Sequence, residues 1–207
     1  VLQDIDLKYV GGVLTAGSPL AVPSLTVAGA PVTGPSTPQP ADHGFTVWTY
    51  DPSFASTGQL LTNGTVYLSA VFLRAATTVT KCWWLMSTAA STPTAGQNWV
   101  GLVNSSGQIL STASIDALIT TSTVARSATL TTPQAVAAGT YWVAFVCNAS
   151  TGPTLLRTNG LSTGTNNAGL SGATLRYATN LTGQTSLPAS LTMGSNVAGP
   201  SLWVAVS

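Results

Sequence analysis

The chain has 207 residues, of which 5% are charged: six Lys or Arg against five acids, with a net charge of +1. So little charge cannot build a basic face that neutralises a run of phosphates, so nucleic acid is not expected as the main partner. Every acid is Asp, and Asp4, Asp6, Asp42, Asp51 and Asp116 are the only carboxylates, which leaves paired acid/base chemistry almost without material. Apolar residues make 44% of the chain, yet no uninterrupted apolar run reaches the ~18 residues of a membrane helix, so membrane insertion is not expected.

Thr, Ser, Ala and Gly together make about half of the sequence, and the helix formers Glu, Lys and Arg are scarce or absent, a composition that reads as β. A mean hydropathy of +0.35 with few charges leaves sheet edges without their usual protection, so burial in an assembly is expected. The chain opens at Val1 without an initiator Met or a charged-then-apolar leader, which favours a fragment of a longer protein.

From Val1 to Pro40, short β-like pieces at Ile5 to Val10 and Ser24 to Ala28 alternate with Gly11-Gly12, Pro19, Pro23, Pro31, Pro35, Pro38 and Pro40. No core can be built from this stretch. Leu25 to Val32 alternates around a glycine turn, and a lone hairpin is marginal. The segment is expected to be an extended stalk or docking arm.

From Ala41 to Ser207 the pattern changes to apolar runs bounded by turn residues, which predicts strands. They fall at Phe45 to Tyr50, Thr65 to Arg74, Thr77 to Ser87, Asn98 to Val103, Gln108 to Ala113, Val124 to Thr131, Thr140 to Asn148, Thr154 to Thr158, Ala173 to Thr179 and Ser201 to Val206. Asn104-Ser-Ser-Gly107 joins two of them as a hairpin, and Ser114 to Ile119 fits one helical turn. Strands at this spacing predict an all-β fold, an antiparallel, jelly-roll-like β-sandwich.

Two strands are apolar on both faces. Thr140 to Asn148 puts Tyr141, Val143, Phe145 and Cys147 on one side and Trp142, Ala144 and Val146 on the other, and Lys81 to Met86 behaves likewise. A two-layer sandwich has one inside, so the second faces must meet a loop, a ligand or another subunit. The stretch from Ser150 to Ala198, rich in Gly, Ser, Thr and Asn, reads as long loops.

The chemical motifs are thin. Gly160-Leu-Ser-Thr-Gly164 matches the Gly-x-Ser-x-Gly of serine hydrolases, but no helix pattern follows it and the only histidine, His43, lies upstream, so no catalytic residue is expected. Asp42 and His43 are neighbours with no nucleophile to serve. Asn63, Asn104, Asn148 and Asn180 open sequon-like triplets, which chance supplies in a chain this rich in Ser and Thr. Cys82 and Cys147 are either a disulfide across the sandwich or two buried thiols. Two cysteines and one histidine make no metal site, and no cofactor is expected. The six tryptophans all lie in predicted strands, so core packing is expected for most, with one or two at an interface or ligand groove.

Trp99-Val-Gly-Leu-Val-Asn-Ser-Ser-Gly-Gln-Ile-Leu-Ser-Thr-Ala-Ser114 and Val136-Ala-Ala-Gly-Thr-Tyr-Trp-Val-Ala-Phe-Val-Cys147 resemble the β-sandwich domains of bacteriophage minor tail proteins and tail fibres, particularly of actinobacterial phages. Asn166 to Tyr177 and Ser201 to Val206 are similar to them too, so the resemblance covers about Ala41 to Ser207. It implies a non-enzymatic virion structural protein involved in host-surface attachment, a homotrimer with other virion proteins as partners, located in the extracellular particle. Capsid decoration or a head fibre is one alternative; a secreted carbohydrate-binding module, with exposed aromatics in a groove, is another.

Receptor contacts are expected on the polar loops, where a rigid sandwich carries its binding sites. Asn159, Asn166, Asn167, Gln184 and Asn196 are the candidates, offering donors and acceptors for the hydroxyls of a bacterial cell-wall glycan.

Overall fold

A computed structural model describes residues 37–121, 124–159 and 163–207, together with four short strands nearer the start of the chain. The chain divides into two units, Val1–Thr37 and Pro38–Ser207. In the first, β1 (Leu7–Val10) pairs antiparallel with β2 (Val13–Ala16). Strands β3 (Thr26–Val27) and β4 (Ala30–Pro31) pair the same way, within the stretch that alternates around its glycine.

The second unit is an antiparallel β-sandwich. Its strands are β5 (Val47–Trp48), β6 (Ala55–Leu60), β7 (Tyr67–Leu73), β8 (Thr77–Thr88), β9 (Ser91–Pro93), β10 (Trp99–Val103) and β11 (Ile109–Ser114). There follow β12 (Ala125–Val136), β13 (Gly139–Val146), β14 (Ala149–Thr151), β15 (Thr154–Thr158), β16 (Tyr177–Thr179), β17 (Val197–Ala198) and β18 (Val204–Val206). One sheet has the order β11-β10-β13-β7-β16-β17; the other has β5-β18-β8-β15-β6, with β12 also on β8. From β7 onward the chain passes repeatedly from one sheet to the other, and β9 and β14 form a small separate pair.

Alternation explains the layers, because successive side chains of a strand point to opposite faces. Val143, Phe145 and Cys147 of the β13 segment face Cys82, Trp84 and Met86 of β8 in the core between the sheets. On the outer face, Trp142, Ala144 and Val146 are buried with Leu175, Leu191 and Met193, and Leu170 and Leu187 pack against them. The outer face of the other sheet buries Leu85, Trp203 and Ala205 beneath Phe45, Trp48 and Tyr50. Of the three occupants open to these second faces, the chain's own loops fill the place: segment 170–198 covers one, segment 45–50 the other.

The differences from the predicted strands have local causes. Only Val47–Trp48 pairs within 45–50, because Phe45 turns into an aromatic cluster with His43, Trp48, Trp83 and Trp203. Strand β12 runs on to Val136 through an irregularity between Thr129 and Gln134, where Pro133 lacks the N–H a regular ladder needs. Ala173 lies in a 3-10 turn, Gly172–Thr174, ahead of β16. Strand β6, Ala-Ser-Thr-Gly-Gln-Leu, carries no apolar run that would announce it. The turn expected within 114–119 is present, with the Ile119 N–H donating to the Ile115 carbonyl at 3.1 Å. One helical turn, α1 (Thr163–Asn166), stands where no helix pattern was legible. Among the described residues no helix is long and apolar enough to cross a membrane.

Candidate functional site

A cleft of about 870 Å³ opens in the second unit. One wall comes from β7. Strand β16 pairs with β7 only over Tyr67, Leu68 and Ser69, and the Arg176 carbonyl accepts the Ala70 N–H at 2.7 Å as the last bond of that seam. Leu68, Ala70 and Phe72 share one face of this strand by alternation, and Arg74, just past its end, lies beside the Phe72 ring. Leu68 and Ala70 are buried, whereas Phe72 is 54% exposed. The apolar cover stops there, and Phe72 and Arg74 line the cleft with Arg176, Thr140 and Leu170. The other wall is the segment 46–49, with Trp48 half-buried, and the 3-10 turn Pro40–His43 contributes Pro40 and Ala41.

Two guanidinium groups give the cleft its charge. The Arg74 guanidinium lies 5.8 Å from the centre of the Phe72 ring, and that of Arg176 lies 5.4 Å from the Tyr177 ring. Aromatic faces hold a cation without neutralising it. No carboxylate lines the cleft; of the three acids of this unit, Asp51 and Asp116 are engaged elsewhere and Asp42 is held at the rim by the cleft-lining Gln39. Asp42, just past the rim in sequence, accepts the Gln39 N–H at 2.8 Å. Asp51 accepts the Ser53 hydroxyl and N–H at 2.6 and 2.8 Å, which hold its carboxyl below the usual carboxylate range. Asp116 accepts the Gly96 N–H at 2.7 Å and the Asn98 amide at 2.8 Å. Of the five threonines in the lining, Thr49 donates to the Val204 carbonyl and Thr174 to the Ser171 carbonyl. Thr46, Thr77 and Thr140 complete the set.

The five expected receptor residues do not converge, and none lines the cleft. Asn159 is exposed and accepts a hydrogen bond from Thr57 at 3.3 Å. Asn166 is half-buried and donates to the Ser201 hydroxyl at 3.2 Å. Asn167 is 4% exposed; its amide donates to the Tyr177 carbonyl and accepts the Arg176 and Tyr177 N–H groups, at 2.9, 2.9 and 3.1 Å. That pins the start of β16, a structural duty instead of a surface one. Gln184 donates to the Thr182 carbonyl, and its own carbonyl accepts the Asn148 amide at 2.8 Å. Asn196 is buried and accepts the Asn180 amide at 2.6 Å. Short polar side chains in Gly-rich loops serve the loop first, closing turns that no apolar contact closes.

The remaining motifs also have structural places. His43 stacks on Phe45 and meets Trp48 edge to face. Ser162 lies outside the described residues. All four sequon asparagines donate their side-chain amides within the chain: Asn63 to the Ala149 carbonyl, Asn104 to Gln108, Asn148 to the Gln97 and Gln184 carbonyls, and Asn180 to the Thr192 carbonyl. Cys82 and Cys147 are buried free thiols, which decides between the two alternatives. Among the described residues no group of three or more His, Cys or Asp side chains comes together as a metal site. Trp84, Trp142 and Trp203 are core residues, and Trp48 is the one that reaches the cleft.

Sequence reasoning missed the cleft because its parts come from four separated segments. The available signal was Phe72 and Arg74, which carry an alternating apolar face out to an aromatic and then a cation. Neither protein-family models nor curated proteins match this chain.

Proposed function

We propose that the chain is a non-enzymatic bacteriophage virion protein, of tail-fibre or minor-tail type, that takes part in attachment to the host surface. The carrying observation is the cleft: an aromatic and arginine-lined recess on a sandwich whose three acids in this unit are occupied in turns. A recess with an exposed phenylalanine ring, hydroxyls and no poised nucleophile suits binding better than turnover. The similarity of Trp99 to Ser114 and Val136 to Cys147 to phage tail sandwiches supplies the virion setting, the homotrimer and the other virion proteins as partners.

A second reading, a secreted carbohydrate-binding module, is favoured by one feature. The chain covers the outer faces of both sheets with its own segments, so a single copy already buries the apolar surface that suggested neighbours. The trimer therefore draws its support from the resemblance.

Sedimentation of the full chain with purified actinobacterial cell walls tests attachment. The protein should pellet with the walls and release no reducing sugar. A chain that stays in the supernatant with a panel of walls overturns attachment, and sustained glycan cleavage overturns the non-enzymatic reading. Light scattering separates the two settings: a stable 20.9 kDa species removes the trimer and favours the secreted module.

A further inference from the structure

We propose that the cleft binds an acidic saccharide, with Arg74 and Arg176 receiving its carboxylate or phosphate groups and the exposed Phe72 ring offering a surface to its rings. This deepens the attachment reading and rests on it for the biological source of the ligand, not for the chemistry.

The charge argument comes first. The unit from Pro38 onward holds five cations, Arg74, Lys81, Arg126, Arg157 and Arg176, and two of them line one recess that no acid lines. Arg126 donates to the carbonyl and hydroxyl of Thr121, and Arg157 to the Thr158 carbonyl. Arg74 and Arg176, like Lys81 outside the cleft, rest on rings, a contact that uses the face of the guanidinium and leaves its fork of N–H donors to a ligand. A planar fork pairs with a carboxylate or phosphate through two parallel bonds.

Shape and lining point to a sugar. Phe72 keeps 54% of its surface in water at a position where the strand's earlier residues on that face are covered, and the apolar face of a pyranose is a natural cover for an aromatic ring. Threonine hydroxyls both donate and accept, as sugar hydroxyls require, and Thr46, Thr77 and Thr140 line the recess beside the arginines. A volume of about 870 Å³ lies in the range of ligand sites, enough for a few linked rings. The recess is thus cationic, unlike the amide side chains expected as receptor contacts at Asn159, Asn166, Asn167, Gln184 and Asn196.

Titration calorimetry on the full chain tests this with four probes: trigalacturonate, neutral galactotriose, a glycerol-phosphate oligomer and hexa-aspartate. At least one of trigalacturonate and the glycerol-phosphate oligomer should bind, and which one does separates a carboxylate from a phosphate source. Galactotriose should bind roughly tenfold or more weakly, and Arg74→Gln and Arg176→Gln should each weaken the acidic probe by about tenfold. Binding should also weaken from about 50 to about 500 mM salt. Both arginines are exposed, and an unchanged thermal midpoint confirms that the variants fold. Equal binding of galactotriose, indifference to both substitutions, tighter binding of hexa-aspartate, or no binding of either acidic saccharide overturns the proposal. Adhesion to walls together with any of these outcomes leaves attachment standing and removes the acidic-saccharide site alone.

Discussion

Trp84 of β8 and Phe145 of β13 meet edge to face across the two sheets, ring centres 5.7 Å apart and planes at 75°, with 0% and 1% of their surfaces exposed. The contact joins the central strand of one layer to that of the other. Phe145→Ala should cost about 3–5 kcal/mol by emptying that space, read as a lower urea midpoint. Trp84→Phe is expected to cost far less, within about 1 kcal/mol of the parent. The Trp84 indole N–H is buried without an acceptor, and removing it relieves a desolvation penalty that offsets the lost volume. An equal loss in both variants would contradict this reading.

Asn98 is fully buried and closes a polar knot. Its amide donates to the Thr94 carbonyl and to Asp116, both at 2.8 Å, and accepts the Asn148 N–H at 2.8 Å. Asn98→Ala should cost about 2–3 kcal/mol, since buried partners are left unpaired. At Asp116, burial works against the charged form, but hydrogen bonds from the Gly96 N–H, Asn98 and Ser114 outweigh it, so the carboxyl titrates below its ordinary range. A carboxyl lowered by folding stabilises the fold above its unfolded value of about 4 and ceases to do so as pH falls through the lower folded value. Asn98→Asp places a second carboxyl against the first, so at neutral pH it should be less stable than the parent and should recover as pH falls through the carboxylate range. Denaturation midpoints from neutral pH down to about pH 3 check the opposite slopes.

Cys82 and Cys147 should resist a thiol reagent in the native protein and react only after unfolding. Burial pushes both thiols up to about 12, with the Asp116 charge adding to the effect at Cys147, so almost no thiolate exists at neutral pH. Reductant should leave the thermal midpoint unchanged. Rapid labelling of either cysteine under native conditions would contradict the packing described.

Gly107 fixes the cover of the outer face. Its φ is +87°, and a Cβ there would stand 2.0 Å from the Leu191 carbonyl oxygen; the Leu191 N–H donates back to the Gly107 carbonyl at 2.8 Å, and the Ile109 N–H donates to the Ala189 carbonyl at 3.0 Å. Gly107→Ala should cost about 2 kcal/mol or more and should raise amide exchange in 187–193 ahead of the core strands.

The sandwich was legible because short apolar runs recur between turn residues, and the two-faced β13 and β8 showed that outer faces needed cover as well. What supplies that cover was not. Leu170, Leu175, Leu187, Leu191 and Met193 are spaced without period among Gly, Ser and Asn, so the segment reads as loop although it buries a face. The site failed for a related reason. Asn159, Asn166, Asn167, Gln184 and Asn196 look like surface donors in a one-dimensional chain, and whether an amide faces water or closes a turn depends on partners that here lie from 2 to 102 positions away. Phe72, Arg74, Thr140 and Arg176 meet only because Thr140 pairs with Phe72 and Arg176 with Ala70, a register that no local pattern encodes.

The pairing of β5 with β18 sets how the second unit bears force. Val47 lies opposite Val206 and Trp48 opposite Ala205, and the Thr46 N–H donates to the Val206 carbonyl at 2.8 Å, so the chain enters and leaves this sheet at the same end of two adjacent strands. A load applied across Pro38 and Ser207 pulls such an antiparallel pair apart one bond after another, like a zipper, instead of shearing all its bonds together. A load borne through one end alone never crosses that seam.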